Sequence, residues 1–168
     1  EVHSGRYQEH INISKPVILH GLDDGGGMPI IASNEAQSII EINTERATLD
    51  GFYVEPLDNS NRCGVVVTSD NTTIKNNVIV NNSYSGIQIL KSNNSYIVNN
   101  SISNNDYGII LSNADNDIIK GNSISSNYVA GIKLDRSSTT NIMRNVISKN
   151  GIGIVYDDYS ITSGMNVD

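Results

Sequence analysis

Four rows of identical residue types run through the later part of this chain at one shared interval. Isoleucine stands at Ile74, Ile97, Ile119 and Ile142, and again at Ile79, Ile102, Ile124 and Ile147. Asparagine stands at Asn77, Asn100, Asn122 and Asn145, and again at Asn82, Asn105, Asn127 and Asn150. Every row steps by 23, 22 and 23 residues. A fifth row, Gly64, Gly86, Gly108, Gly131 and Gly153, opens a G-[IV]-x-Φ pattern in each unit. Rows that keep one register mean a stack of equivalent units, each too short to bury a core by itself.

The L-x-x-L-x-L signature of a leucine-rich repeat is missing, and each unit carries two or three short β-like runs with no helical stretch. The architecture that satisfies both facts is a right-handed parallel β-helix, an all-β single-stranded solenoid of about seven coils. Each coil gives one short strand to each of about three parallel sheets, and like residues lie above one another at about 4.8 Å. Interior Ile rows then form aliphatic columns. The Asn rows form ladders, because a carboxamide both donates and accepts and a column of them satisfies itself except at its ends. Gly at the entrance of each G-[IV]-x-Φ strand marks either a positive φ or a close approach of two backbones. The gap between the second Asn row and the Gly row varies, so this corner is the one free to change, and solenoid loops on one face are where binding function is built.

The first third is less regular. It reads as strands at Ile11 to Ile13, Pro16 to Leu19, Pro29 to Ala32, Ile39 to Ile42 and Leu49 to Val54, with a tight turn at Gly21 to Gly27. No helix is expected anywhere. All 168 residues read as one domain, either a portion of a longer chain or a unit that stacks on its own copies.

Composition narrows the function classes. With 18 acidic residues against 11 Lys and Arg, a net charge of -7 and a pI near 4.8, the chain lacks the basic footprint of a nucleic-acid binder. Its longest apolar runs are too short to span a bilayer, so no membrane insertion is expected. The single Cys63 has no disulfide partner within the chain.

The segments S-G-x-Y at Ser4 to Tyr7, H-I-N-I-S-K-P at His10 to Pro16, G-x-D-x-G-G-G-x-P-I at Gly21 to Ile30 and T-L-D-G-F at Thr48 to Phe52 accompany the N-N-x-I-x-N-N rows. Together they resemble the NosD-like group of parallel β-helix repeat proteins. The resemblance implies a β-helix and an exported, extracellular or cell-surface setting. It leaves activity open, since this fold carries polysaccharide enzymes, adhesins, surface-layer components and periplasmic copper accessory proteins.

Candidate chemistry is sparse. Asp135 and Asp157 each fall four residues after a row glycine, near Lys133, Arg136 and Asp158. Stacked carboxylates of this kind would share a proton, serve as a catalytic pair with Arg136, or hold Ca²⁺ through Asp135, Asp157 and Asp158. A solvated charged edge is the plainer reading. Neither the N-T-D, D-D, G-H-G, R-I-K set of polygalacturonases nor the D-P-H-E of alginate epimerases is present. Tyr84, Tyr107 and Tyr128 lie near the variable corner in successive coils, suited to sugar-ring stacking or lateral protein contact. His3, His10 and His20, with Met28, Met143 and Met165, are too scattered to specify a copper site. Apart from Ca²⁺ at those carboxylates, no cofactor is expected.

The reading favoured by sequence is a noncatalytic structural or adhesive module of a cell envelope or extracellular assembly. Its partners are copies of itself, other envelope proteins, or polysaccharide. A fragment of a polysaccharide-active lyase, epimerase or glycosidase is the alternative, and a periplasmic copper accessory protein the second.

Overall fold

A computed structural model describes residues 1–34, 38–58, 62–162 and 166–167. The chain winds as a right-handed parallel β-helix with three sheets. The first sheet has eight strands, from Val2–His3 through Thr48–Asp50, Thr73–Lys75, Tyr96–Val98, Ile118–Lys120 and Asn141–Met143 to Asn166–Val167. The second has seven, from Arg6–Gln8 through Val78–Val80, Ser101–Ser103 and Ser123–Ser125 to Val146–Ser148. The third also has seven, from Ile11–Ile13 through Cys63–Val67, Ser85–Leu90, Tyr107–Ser112 and Ala130–Asp135 to Ile152–Tyr156. Seven rungs enclose about six complete turns rather than the seven coils expected.

Every sheet turns one apolar column inward. In the first sheet Leu49, Ile74, Ile97, Ile119 and Ile142 pair in sequence, and in the second Val54, Ile79, Ile102, Ile124 and Ile147 do so. The third sheet contributes two inward columns, among them Val65, Ile87, Ile109 and Ile132, and Val67, Ile89, Leu111 and Leu134. These side chains form one continuous buried core. Full burial of each contributes about 1.5 to 3 kcal/mol. A hydrogen bond in a ladder adds about 0.5 to 1.5 kcal/mol net. The aliphatic columns therefore supply most of the stability, and the polar columns fix the register.

Both asparagine ladders are present. Nδ2 of Asn77, Asn100 and Asn122 donates to Oδ1 of the next coil's Asn at 3.1, 3.1 and 3.0 Å. Asn82, Asn105 and Asn127 do the same toward Asn105, Asn127 and Asn150 at 3.0, 3.1 and 2.9 Å. Each acceptor oxygen also takes the backbone N–H of the Asn that donates to it. Phe52 N–H closes the first ladder by donating to Asn77 Oδ1, whereas Asn82 Oδ1 has no partner among the described residues.

The glycine row is explained by close approach and not by φ. A Cβ on Gly86 would lie 2.6 Å from Cγ2 of Ile102 and 2.8 Å from the Gly108 carbonyl oxygen, and Gly64, Gly108 and Gly131 are equally hemmed in. Positive φ falls instead on the residue before each ladder position: Asn76, Asn81, Asn99, Asn104, Gly121, Ser126, Arg144 and Lys149. The paired asparagines thus divide the work. The first turns the chain through the left-handed region, which Asn tolerates, and the second enters the ladder.

Three expectations need correcting. The run Leu49 to Val54 is two strands, Thr48–Asp50 and Tyr53–Pro56, broken where Gly51 adopts φ +84. A short helix, Asp158–Thr162, occupies the last corner where none was expected, with Asp157 accepting the Ser160 N–H at 3.0 Å at its start. The helix lengthens that coil, so Val167 pairs with Ile142, 25 residues away, and the 23-residue step to Met165 is not kept. Met165 and Asp168 themselves lie outside the described residues. In the Gly21 to Gly27 turn, Asp23 Oδ1 accepts the N–H groups of Gly25 and Gly27, each at 2.9 Å.

Candidate functional site

The corner between the second and third sheets carries the variable gap seen in the sequence. Between ladder and row glycine it holds Ser83, Tyr84 and Ser85 in one coil, Asp106 and Tyr107 in the next, and Tyr128, Val129 and Ala130 in the one after. Along this edge runs an open groove of about 600 Å³, lined by Leu57, Asp58, Asn81, Ser83, Asn104, Asp106, Ser126 and Tyr128. Asn81, Asn104 and Ser126 are the left-handed residues of three successive coils. Their side chains face solvent while Asn82, Asn105 and Asn127 are buried beside them. Amides and hydroxyls exposed this way bond in both senses, and the Tyr128 ring, 84% exposed, adds a flat apolar face. Asp58 is paired with the Arg62 guanidinium at 3.1 Å.

The three tyrosines do not form one stack. Tyr84 and Tyr107 meet edge to face with centroids 6.1 Å apart, and the Lys133 ammonium lies 5.5 Å from the Tyr107 centroid. Tyr128 stands apart and lines the groove.

Asp135 and Asp157 are consecutive rungs of the third sheet's trailing edge, since Leu134 pairs with Tyr156. Asp157 is fully engaged. Its Oδ1 accepts the Ser160 N–H and hydroxyl, at 3.0 and 2.7 Å, and its Oδ2 accepts the Arg136 N–H at 3.1 Å. The Ser160 hydroxyl, more than any other group, holds the Asp157 carboxyl below its ordinary value, the reverse of what a proton-sharing pair requires. Asp158 is the first residue of the helix. Among the described residues no three His, Cys, Asp or Glu side chains gather as a metal site. His3 bonds Asp24 at 3.0 Å, His10 the Ser38 carbonyl at 3.0 Å, and His20 Asp50 at 3.1 Å, so the three imidazoles are engaged separately.

One cluster was not foreseen. On the outer face of the first sheet, His20, Asp50 and Lys75 occupy successive rungs. Asp50 Oδ2 meets His20 Nδ1 at 3.1 Å and Lys75 Nζ at 3.3 Å, while its Oδ1 accepts the Asn76 amide at 2.8 Å. Burial works against the Asp50 charge, but the bonds from Asn76 and Lys75 outweigh it and hold the carboxyl below the usual range. The sequence signal was there: each residue directly follows an inward apolar one, Leu19, Leu49 or Ile74.

A further unforeseen group is Asp117, buried in the corner between the third and first sheets. Its Oδ1 accepts the Ser95 N–H at 2.7 Å, its Oδ2 has no partner, and the buried hydroxyls of Ser92 and Ser95 in the same corner are likewise unpartnered. Burial, with the charges of Asp115 and Asp70, pushes this carboxyl up to about 7.

The right-handed parallel β-helix is the class to which these features assign the chain. The sequence profile described as "Right handed beta helix region" matches residues 38–167, and the chain belongs to that family. Among solved structures, the A-module of the Azotobacter vinelandii mannuronan C-5 epimerase AlgE4 superposes with a TM-score of 0.56 at 14% identity, over 100% of this chain and 59% of that one. The A-module of AlgE6 from the same organism gives 0.54 at 14% identity, over 100% and 57%. The likeness is one of fold, and the chain spans less than two thirds of either module. No curated protein sequence matches it.

Proposed function

We propose that this chain is a noncatalytic, glycan-contacting β-helix module of an exported envelope or extracellular assembly, with the groove between the second and third sheets as its contact surface. The resemblance to NosD-like proteins fits that setting, and its other partners would be envelope proteins or further copies of the chain. The observation that carries the reading is the groove itself. Exposed amides and hydroxyls on three successive coils meet a ring that is free to stack, in a volume within the roughly 300 to 1,000 Å³ range of small-ligand sites. Sugars are bound by this combination, with hydroxyls bonded in the plane of the ring and C–H groups laid on an aromatic face.

Retention on immobilised glycans tests it, comparing the unaltered chain with Tyr128→Ser and Tyr84→Ser. Tyr128→Ser is expected to weaken retention roughly tenfold, the equivalent of about 1.4 kcal/mol. Tyr84→Ser, whose ring packs on Tyr107, is expected to change little. Retention that ignores Tyr128, or no retention on any glycan, contradicts the reading.

One observation favours the enzymatic alternative, and it places that alternative elsewhere. The His20, Asp50 and Lys75 cluster joins an imidazole oriented by a carboxylate to an ammonium, a set suited to moving a proton beside an anionic sugar. Incubation with acidic polysaccharides, with and without Ca²⁺, is the test. Unsaturated or reducing-end products that vanish in His20→Ala would establish the enzyme.

A further inference from the structure

The lining of the groove repeats with the coils. Val80 pairs with Ser103, and Ser103 with Ser125, so the residues that follow them, Asn81, Asn104 and Ser126, share one register position. Their φ values, 62, 57 and 56°, are nearly equal, which presents the three side chains at the same angle from the corner. Stacked coils lie about 4.8 Å apart. Along the rod axis the groove therefore offers one amide or hydroxyl per coil at a spacing close to the length of one pyranose ring in an extended chain. Across the axis the repeat is lost, because each step around the corner meets a different side chain. A linear glycan laid along the axis meets the same kind of group at every ring.

The charge of the lining narrows the ligand further. Asp58 and Asp106 are the ionisable carboxyls along the groove, and no Lys, Arg or His lines it. A uronate would set its carboxylate against Asp106 with no cation in the lining to offset the repulsion. Carboxylates suit the hydroxyls of a neutral sugar, which donate to them.

We propose that the groove takes a neutral polysaccharide in extended form, parallel to the rod axis, with one sugar ring per coil and Tyr128 stacked on the ring at its end. This rests on the glycan-contact reading above and adds to it the direction, the number of subsites and the charge of the ligand. Four coils contribute, through Pro56 to Asp58, Asn81 to Ser83, Asn104 to Asp106 and Ser126 to Tyr128.

Titration calorimetry with neutral gluco-, manno-, galacto- and N-acetylglucosamine oligosaccharides, each from disaccharide to hexasaccharide, and with a matched oligouronate series, tests the proposal. For at least one neutral series, affinity is expected to rise with each added ring up to the tetrasaccharide and then level. Asn104→Ala is expected to weaken the tetrasaccharide while leaving the weaker disaccharide binding little changed. Uronates are expected to bind at least roughly tenfold more weakly than that neutral series. Tyr128-dependent binding that is already level at the disaccharide, or that favours uronates, overturns this proposal and leaves the glycan-contact reading in place. Failure of every series to bind overturns both.

Discussion

Asparagine carries two unlike tasks here, and the doublets Asn76–Asn77, Asn81–Asn82, Asn99–Asn100 and Asn104–Asn105 set them side by side. The ladder rows were legible because identical residues at a constant step announce a column. The left-handed role of the preceding residue was not, since Gly121, Ser126, Arg144 and Lys149 fill it in other coils and no residue type marks the position. The division predicts a sharp contrast in denaturant unfolding. Asn100→Ala removes the acceptor of the Asn77 N–H and Nδ2, two buried donors, and is expected to cost about 2 to 5 kcal/mol. Asn99→Gly changes an exposed residue at φ 56 and is expected to stay within about 0.5 kcal/mol. Asp117 makes a second contrast. Its folded carboxyl titrates at about 7 against an ordinary value of 3.8, so between those limits the folded state keeps a proton that the unfolded chain releases. Stability is therefore highest in acid and falls as pH rises through this window, by up to about 4 kcal/mol, then levels. Asp117→Asn keeps the acceptor for Ser95 and cannot ionise. Unfolding midpoints followed across that window should fall for the unaltered chain and stay flat for the variant, and parallel profiles would contradict this account.

Corners, more than strands, separate what was readable from what was not. Strands with a fixed step were placed correctly by their apolar rows, as the pairing of Ile102 with Ile124 confirms. The break at Gly51 and the helix at Asp158–Thr162 were missed because a solenoid corner accepts insertions that leave the adjoining strands hydrogen-bonded to the coil below. Gly108 and Gly153 test the packing of one corner within a single row. A Cβ at Gly108 would meet the Gly131 carbonyl oxygen at 2.5 Å and Ile124 Cγ2 at 2.7 Å, and Gly108→Ala is expected to cost about 3 kcal/mol. At Gly153 the nearest atom is 3.8 Å away, so Gly153→Ala should lie within about 0.5 kcal/mol in the same unfolding assay. A short serine ladder crosses the corner between the third and first sheets, where Ala114 N–H donates to Ser137 Oγ and Ser137 N–H to Ser160 Oγ. It ends at Ala114, which offers the coil of Ser92 no hydroxyl. Ala114→Ser would extend it and is expected to raise stability by about 1 kcal/mol, whereas a loss would show that the site cannot hold the added oxygen.

As a whole the chain is a rod whose coils each lean on the next, so its surface is a set of columns and function depends on which columns stay outside. The variable corner was visible as a spacing irregularity, and the groove lies along it. The separation of Tyr128 from Tyr84 and Tyr107 was not visible, because their offsets from the glycine row differ by single residues whose directions only the backbone decides. Nor was the His20, Asp50 and Lys75 cluster, which depends on register in the irregular first third, where the steps of 30 and 25 residues depart from the later interval. Both candidate surfaces follow from one claim, that like residues a coil apart are direct neighbours along the axis, with one asparagine of each doublet sealed inside and the other left in water. Hydrogen exchange of the individual side-chain amides, resolved by NMR, measures this directly. Nδ2 protons of Asn77, Asn100, Asn105, Asn122 and Asn127 are predicted to exchange orders of magnitude more slowly than those of Asn76, Asn81, Asn99 and Asn104. Equal exchange in the two sets would contradict it.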